Sequence, residues 1–182
     1  MMCMPYIELL NIKHYDMRTS HSLSIEKGET YQFIGKNGSG KTTLLKIIAG
    51  FIRPKEGQCL NAAKKISIMP DIHYLPPNMT VYMYLHHLHE LFKEDIDKHL
   101  FYVLDLPLSK KILELSLGQK QKLAILQSFM GEPDLVLLDE PLKTLDVQSR
   151  KVIISYFRTS KASIIYTSHN LTKDSFIKTY AL

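Results

Sequence analysis

The segment Gly35-Lys36-Asn37-Gly38-Ser39-Gly40-Lys41-Thr42 matches G-x-x-x-x-G-K-[ST] in full, and the rest of the chain is read outward from it. Glycines at these positions let successive backbone N–H groups turn inward around phosphate oxygens. Lys41 reaches the outer phosphates and the Thr42 hydroxyl is placed to ligate Mg²⁺. Asn37, Gly38, Ser39, Gly40, Lys41, Thr42 and Thr43 are therefore the expected nucleotide-binding residues. The flanks agree with this reading. Thr30-Tyr31-Gln32-Phe33-Ile34 is rich in aromatic and β-branched residues and reads as a strand. Thr42 to Ala49 reads as a helix stopped by Gly50, with Pro54 beyond it. A helix opening at such a loop aims its N-terminal N–H groups and positive dipole end at the same anion. The segment reads as a nucleoside-triphosphate site.

Further along, Leu135-Val136-Leu137-Leu138 is apolar at every position, as a strand buried on both faces should be. It delivers Asp139 and Glu140 to the carboxyl edge of the sheet, where α/β folds place their ligands. Asp139 is the expected Mg²⁺ holder, and Glu140 the group that orients or deprotonates an attacking water. Ile7–Ile12, Ser22–Glu26 and Ser163–Thr167 read as further strands. Helical patterns run over Thr80–Phe92, Asp95–Leu104, Leu117–Met130 and Asp146–Arg158, and Asn170 to Leu182 reads as a short helix and a strand. Strands alternating with helices predict an α/β fold with a mainly parallel sheet, interrupted by a helical insertion. The expected organisation is one domain over 1–182, with the core at about 1–70 and 131–182 and a helical subdomain at about 72–130.

Composition narrows the classes. Apolar residues at 45% and charged ones at 23% exclude a disordered chain. Lys plus Arg 23 against Asp plus Glu 18 gives +5, which permits an anionic partner without requiring one. The two cysteines, Cys3 and Cys59, make no disulfide framework and imply a reducing compartment. No signal peptide is evident at the start, and no apolar run reaches the roughly 20 residues of a membrane helix.

Taken in order, the phosphate loop, Leu115-Ser116-Leu117-Gly118-Gln119, Asp139-Glu140, Leu145-Asp146 and Ser168-His169 resemble an ABC-type ATPase, the nucleotide-binding subunit of ATP-binding-cassette systems. The resemblance covers nearly the whole chain and implies a P-loop NTPase core with an inserted helical subdomain. It also implies ATP and Mg²⁺ as cofactors and hydrolysis assisted by Lys41, Glu140 and the switch-like His169. Ser116 and Gln119 form a capping box that opens a helix. In the family this loop binds the γ-phosphate held by an opposite subunit, which assigns Ser116, Gly118 and Gln119 to that role. Asp146 matches the D-loop at such an interface, and Tyr15 resembles the aromatic that stacks on adenine.

Several positions depart from the family pattern. Leu117 stands where Gly is usual, and Thr144 where a small residue often precedes Leu-Asp. The Gln that ends a strand between the phosphate loop and the signature is replaced by Asp71, which is expected either to ligate Mg²⁺ or to face away and slow turnover. His73, His86, His87, His89 and His99 lack H-E-x-x-H spacing and read as solvated helix histidines. Tyr82, Met83, Tyr84, Leu85, Leu88, Leu91 and Phe92 suit an adaptable docking surface. The resemblance therefore implies a peripheral cytoplasmic ATPase subunit, paired as a homodimer or heterodimer and bound to a separate transmembrane permease. An exporter is preferred and no nucleic acid is expected. A soluble family member acting on nucleic acid or the ribosome, and a hydrolysis-impaired regulatory subunit, are the alternatives.

Overall fold

The computed structural model describes residues 5–93 and 98–182. Near the start, β1 (Ile7–Lys13) pairs antiparallel with β2 (His21–Ile25). Strand β3 (Thr30–Ile34) leads through the glycine loop into α1 (Lys41–Ile48), and Gly50 ends that helix in the left-handed region at φ 78°. Then come β4 (Glu56–Asn61) and β5 (Ile66–Ile68). Three helices follow: α2 (Val81–Phe92), capped by the Thr80 hydroxyl, α3 (Lys98–Leu104) and α4 (Leu117–Ser128). The remainder is β6 (Leu135–Leu138), α5 (Val147–Thr159), β7 (Ser163–Ser168) and β8 (Ile177–Ala181).

The strands form two sheets. One is antiparallel in the order β2-β1-β4, the other parallel in the order β5-β6-β7-β3-β8. Period-2 alternation splits the core between the two faces of the parallel sheet. Leu135 and Leu137 join Ile165, Phe33, the buried side of α1 and strand β1. Val136 and Leu138 join Ile164 and Tyr166 in a cluster that continues through α2, α3, α4 and α5. All four residues of β6 are fully buried, and each contributes roughly 1.5–3 kcal/mol by leaving water. The segment over 72–130 thus shares one continuous apolar cluster with the sheet.

Two features differ from the sequence expectation. Strand β4 was not anticipated, because its polar residues carry no alternating apolar pattern. It forms by pairing with the second edge of β1, with Leu9 opposite Cys59. The short helix expected after Asn170 is absent. The buried Gln32 amide donates to Asn170 O (2.7 Å) and accepts from Thr172 N (2.9 Å), and Arg158 holds Asp174 with two bonds, so tertiary contacts keep this segment extended. Part of the expected helix over Asp95–Leu104 lies outside the described residues, as does Cys3. No described helix is long and apolar enough to cross a membrane.

Candidate functional site

Parallel pairing brings the carboxyl ends of β3, β6 and β7 side by side, and the sequence-expected residues sit on the loops that leave them. In the phosphate loop, Gly38 (φ 74°) and Gly40 (φ 97°) occupy the left-handed region. A side chain at Gly40 would also lie 2.7 Å from Met17 Cγ, so both conformation and space require glycine there. Lys41 is only 6% exposed, and its ammonium donates to the carbonyls of Gly35 (2.8 Å) and Lys36 (2.9 Å). The lysine is thus folded across the concavity of its own loop, poised above the space the loop encloses.

Asp139 joins the strands. Its Oδ2 accepts from the Thr42 hydroxyl (2.6 Å) and its Oδ1 from the Thr167 hydroxyl (2.5 Å). Thr167 in turn accepts from the backbone N–H of Glu140 (2.8 Å). Glu140 has φ 47°, a conformation that costs a non-glycine residue about 1–3 kcal/mol and clusters at functional sites. The turn presents its carboxylate to His169 Nε2 on one oxygen and to the Lys143 ammonium (2.8 Å) on the other. His169 Nδ1 meets the Gly35 carbonyl at 3.2 Å, so each ring nitrogen faces an acceptor, and the ring ties Glu140 to the phosphate loop. Burial pushes the Glu140 carboxyl up, but the hydrogen bond to Lys143 and the charges of His169 and Lys143 outweigh it. The group is held below the ordinary glutamate value. Thr167 and Lys143 were not singled out from sequence. The parallel register beside β6 is the signal for Thr167, and the i, i+3 spacing from Glu140 the signal for Lys143.

Thr42, Asp139 and Asp71 line one cleft of about 810 Å³ together with Glu140. Hydroxyl and carboxylate oxygens of this kind are the donor set that Mg²⁺ takes. Asp71 is exposed, and its Oδ1 accepts from His73 N (2.9 Å), capping a short 3₁₀ turn over Ile72–Tyr74. Tyr15 is 79% exposed beside the first turn of α1, where Thr43 Oγ1 donates to Asp16 Oδ2 (3.1 Å). The Lys55 ammonium stands 4.7 Å from the Tyr15 ring centroid.

The signature residues are arranged differently. The Ser116 hydroxyl accepts from Gln119 N (3.2 Å) and the Gln119 side chain accepts from Ser116 N (3.0 Å), closing a capping box on α4. A side chain on Gly118 would come within 3.2 Å of the Thr144 carbonyl. Asp146 caps α5 by accepting from Ser149 N (2.8 Å) and Ser149 Oγ (2.9 Å), and these bonds to Ser149 hold its carboxyl low. None of Ser116, Gly118, Gln119 or Asp146 lines the cleft that holds Thr42 and Asp139. Among the described residues no group of three or more His, Cys, Asp or Glu could hold a metal ion by itself. His87 instead meets the Met83 carbonyl (2.6 Å), and His86 stacks on Tyr82.

Comparison with known proteins bears on this arrangement. The family model described as ABC transporter matches residues 19–143. The molybdate/tungstate import ATP-binding protein WtpC of Pyrococcus abyssi is 35% identical over 169 residues, covering 83% of this chain and 49% of its own length. The zinc import ATP-binding protein ZnuC of Wolbachia sp. subsp. Brugia malayi is 34% identical over 164 residues, covering 83% and 66%. The chain therefore spans about half to two thirds of the length of these curated relatives. A solved ABC transporter ATP-binding protein of Pyrococcus furiosus superposes with a TM-score of 0.81 at 25% identity, over 97% of this chain and 96% of that one.

Proposed function

The chain belongs to the ABC transporter family of ATP-binding proteins, and from that premise we propose that it binds and hydrolyses ATP as one subunit of a membrane transporter. The observation that carries this reading is the unbroken hydrogen-bonded chain from Thr42 through Asp139 and Thr167 to Glu140, His169 and Gly35. The phosphates occupy the loop, where Lys41 exchanges carbonyl partners for phosphate oxygens. The adenine lies against the open face of Tyr15. Thr42 and Asp139, with Asp71 as a further oxygen, would hold Mg²⁺, which supplies charge neutralisation across the β- and γ-phosphates when bound. A water lying in line with the γ-phosphorus gives its proton to Glu140 as its oxygen forms the new P–O bond. The bond to the β-phosphate oxygen breaks and its electron pair leaves with ADP, so the products are ADP and inorganic phosphate. His169 keeps Glu140 against the loop throughout.

The signature supports a two-chain device. Ser116, Gly118 and Gln119 would meet the γ-phosphate held by a second cassette, with Asp146 at the same head-to-tail interface, in a homodimer or heterodimer. A separate membrane-spanning permease would receive the force at the cytoplasmic face. The preference for export gains no support from the relatives, since both named above are import proteins.

Glu140→Gln tests the reading. It should retain ATP and trap an ATP-bound dimer, detected by light scattering after size exclusion. A variant that stays monomeric in saturating ATP and Mg²⁺, beside a wild type that hydrolyses normally, would refute the sandwich. Asp71 favours one second reading, a regulatory subunit with impaired hydrolysis. If Asp71 serves as an oxygen ligand, Asp71→Gln leaves turnover equal or up to about tenfold lower. A rise of tenfold or more identifies the acid as a brake.

A further inference from the structure

Glu140 and Lys143 line two clefts. One is the cleft already described, and the other, of about 440 Å³, opens between α5 and the segment after β7. This second cleft has its own charge balance. Of its two carboxylates, Glu140 is paired with the Lys143 ammonium and bonded to His169, and Asp174 is paired with Arg158 through two bonds. Arg150, Lys151 and Lys173 also line it. Arg150 donates only to a carbonyl, that of Lys143 (3.2 Å), and keeps its charge. Among the described residues the ammonium groups of Lys151 and Lys173 have no ion-pair or hydrogen-bond partner. Three cations thus stand in surplus in a cleft that Glu140 also lines, and the Glu140–Lys143 ion pair, whose lysine side chain is 67% exposed, borders both clefts.

We propose that this cleft is a receiving site for a tetrahedral oxyanion, the inorganic phosphate released by hydrolysis next door. The proposal rests on the reading of Glu140 as the base that activates water. Once the bond to ADP breaks, phosphate is a multiply charged anion beside a cationic recess, and the Glu140–Lys143 pair lines both spaces. Low-dielectric walls focus such a field, so a small number of lysines suffices to select a compact anion.

The test is a titration of the nucleotide-free chain with inorganic phosphate at constant ionic strength, followed by calorimetry, for wild type and for Lys151→Ala/Lys173→Ala. Wild type should bind saturably, and the double variant about tenfold more weakly, a difference of ~1.4 kcal/mol. In the ATPase assay the double variant should need about tenfold more added phosphate for the same inhibition, with its rate in phosphate-free buffer unchanged. Equal affinity in the two proteins would place the anion in the phosphate loop and overturn the proposal, as would absence of saturation or equal displacement by chloride. A chain that never hydrolyses ATP would refute the reading of Glu140, whereas the titration would still report on the cleft.

Discussion

The phosphate-loop side of the site and the signature side are built from the same kinds of residue to opposite ends. On the first, a run of bonds joins segments that leave different strands: Thr42 to Asp139, Asp139 to Thr167, Glu140 to His169, His169 to Gly35. On the second, each is bonded within its own turn, Ser116 to Gln119 and Asp146 to Ser149. The first is preorganised by the sheet and is complete in one chain. The second is held by local capping, as the two-cassette arrangement proposed above requires of a surface that meets another chain.

That contrast can be broken in order of effect. Glu140→Gln should lower turnover by roughly 10²–10⁴-fold while leaving ATP binding in one chain intact, measured by steady-state hydrolysis beside equilibrium binding. His169→Ala frees Glu140 from the loop and should cost roughly 10²-fold in turnover, with little change in nucleotide affinity. Ser116→Ala removes a cap worth ~1 kcal/mol and should lower Tm by about 2–4 °C. Its ATP binding at concentrations too low for dimers should match wild type, and a loss there would erase the distinction between the two sides. Asp146→Asn has the smallest effect and turns on pH. The bonds from Ser149 depress the folded-state value of Asp146, so its contribution is present above the unfolded value near 3.9 and is lost as pH falls through the depressed one. Asparagine caps about as well as aspartate, so the two proteins should melt together at neutral pH, and wild type should lose more Tm on acidification below about pH 4.

What could be read in advance follows from the same physics. The phosphate loop and β6 were legible because their constraints are local: glycines at positive φ, and an unbroken apolar run buried on both faces. The Ser116–Gln119 capping box was legible for the same reason. Thr167 was not, since its role arises only when β7 lies beside β6 and its hydroxyl falls between Asp139 and Glu140. Strand β4 carries no pattern of its own and borrows its conformation from the open edge of β1, where Gly57 (φ 86°) passes close to the Leu10 carbonyl. The absent helix after Asn170 was overridden by the buried Gln32, a polar side chain whose bonding demands outweigh weak helical propensity.

The place of β3 in the sheet has a consequence for how the protein comes into being. The strand that carries the phosphate loop pairs on one side with β7 and on the other with β8, both far downstream of it in the sequence. On a ribosome, β3 and its glycine loop emerge early and must wait, with both edges unpaired, until those distant strands are made. Closing contacts across so long a separation is slow, and an unpaired apolar strand invites the wrong neighbour in the interval. A nascent chain therefore gains a stable nucleotide pocket only late in its synthesis, and premature termination before β7 would release a loop with no floor beneath it.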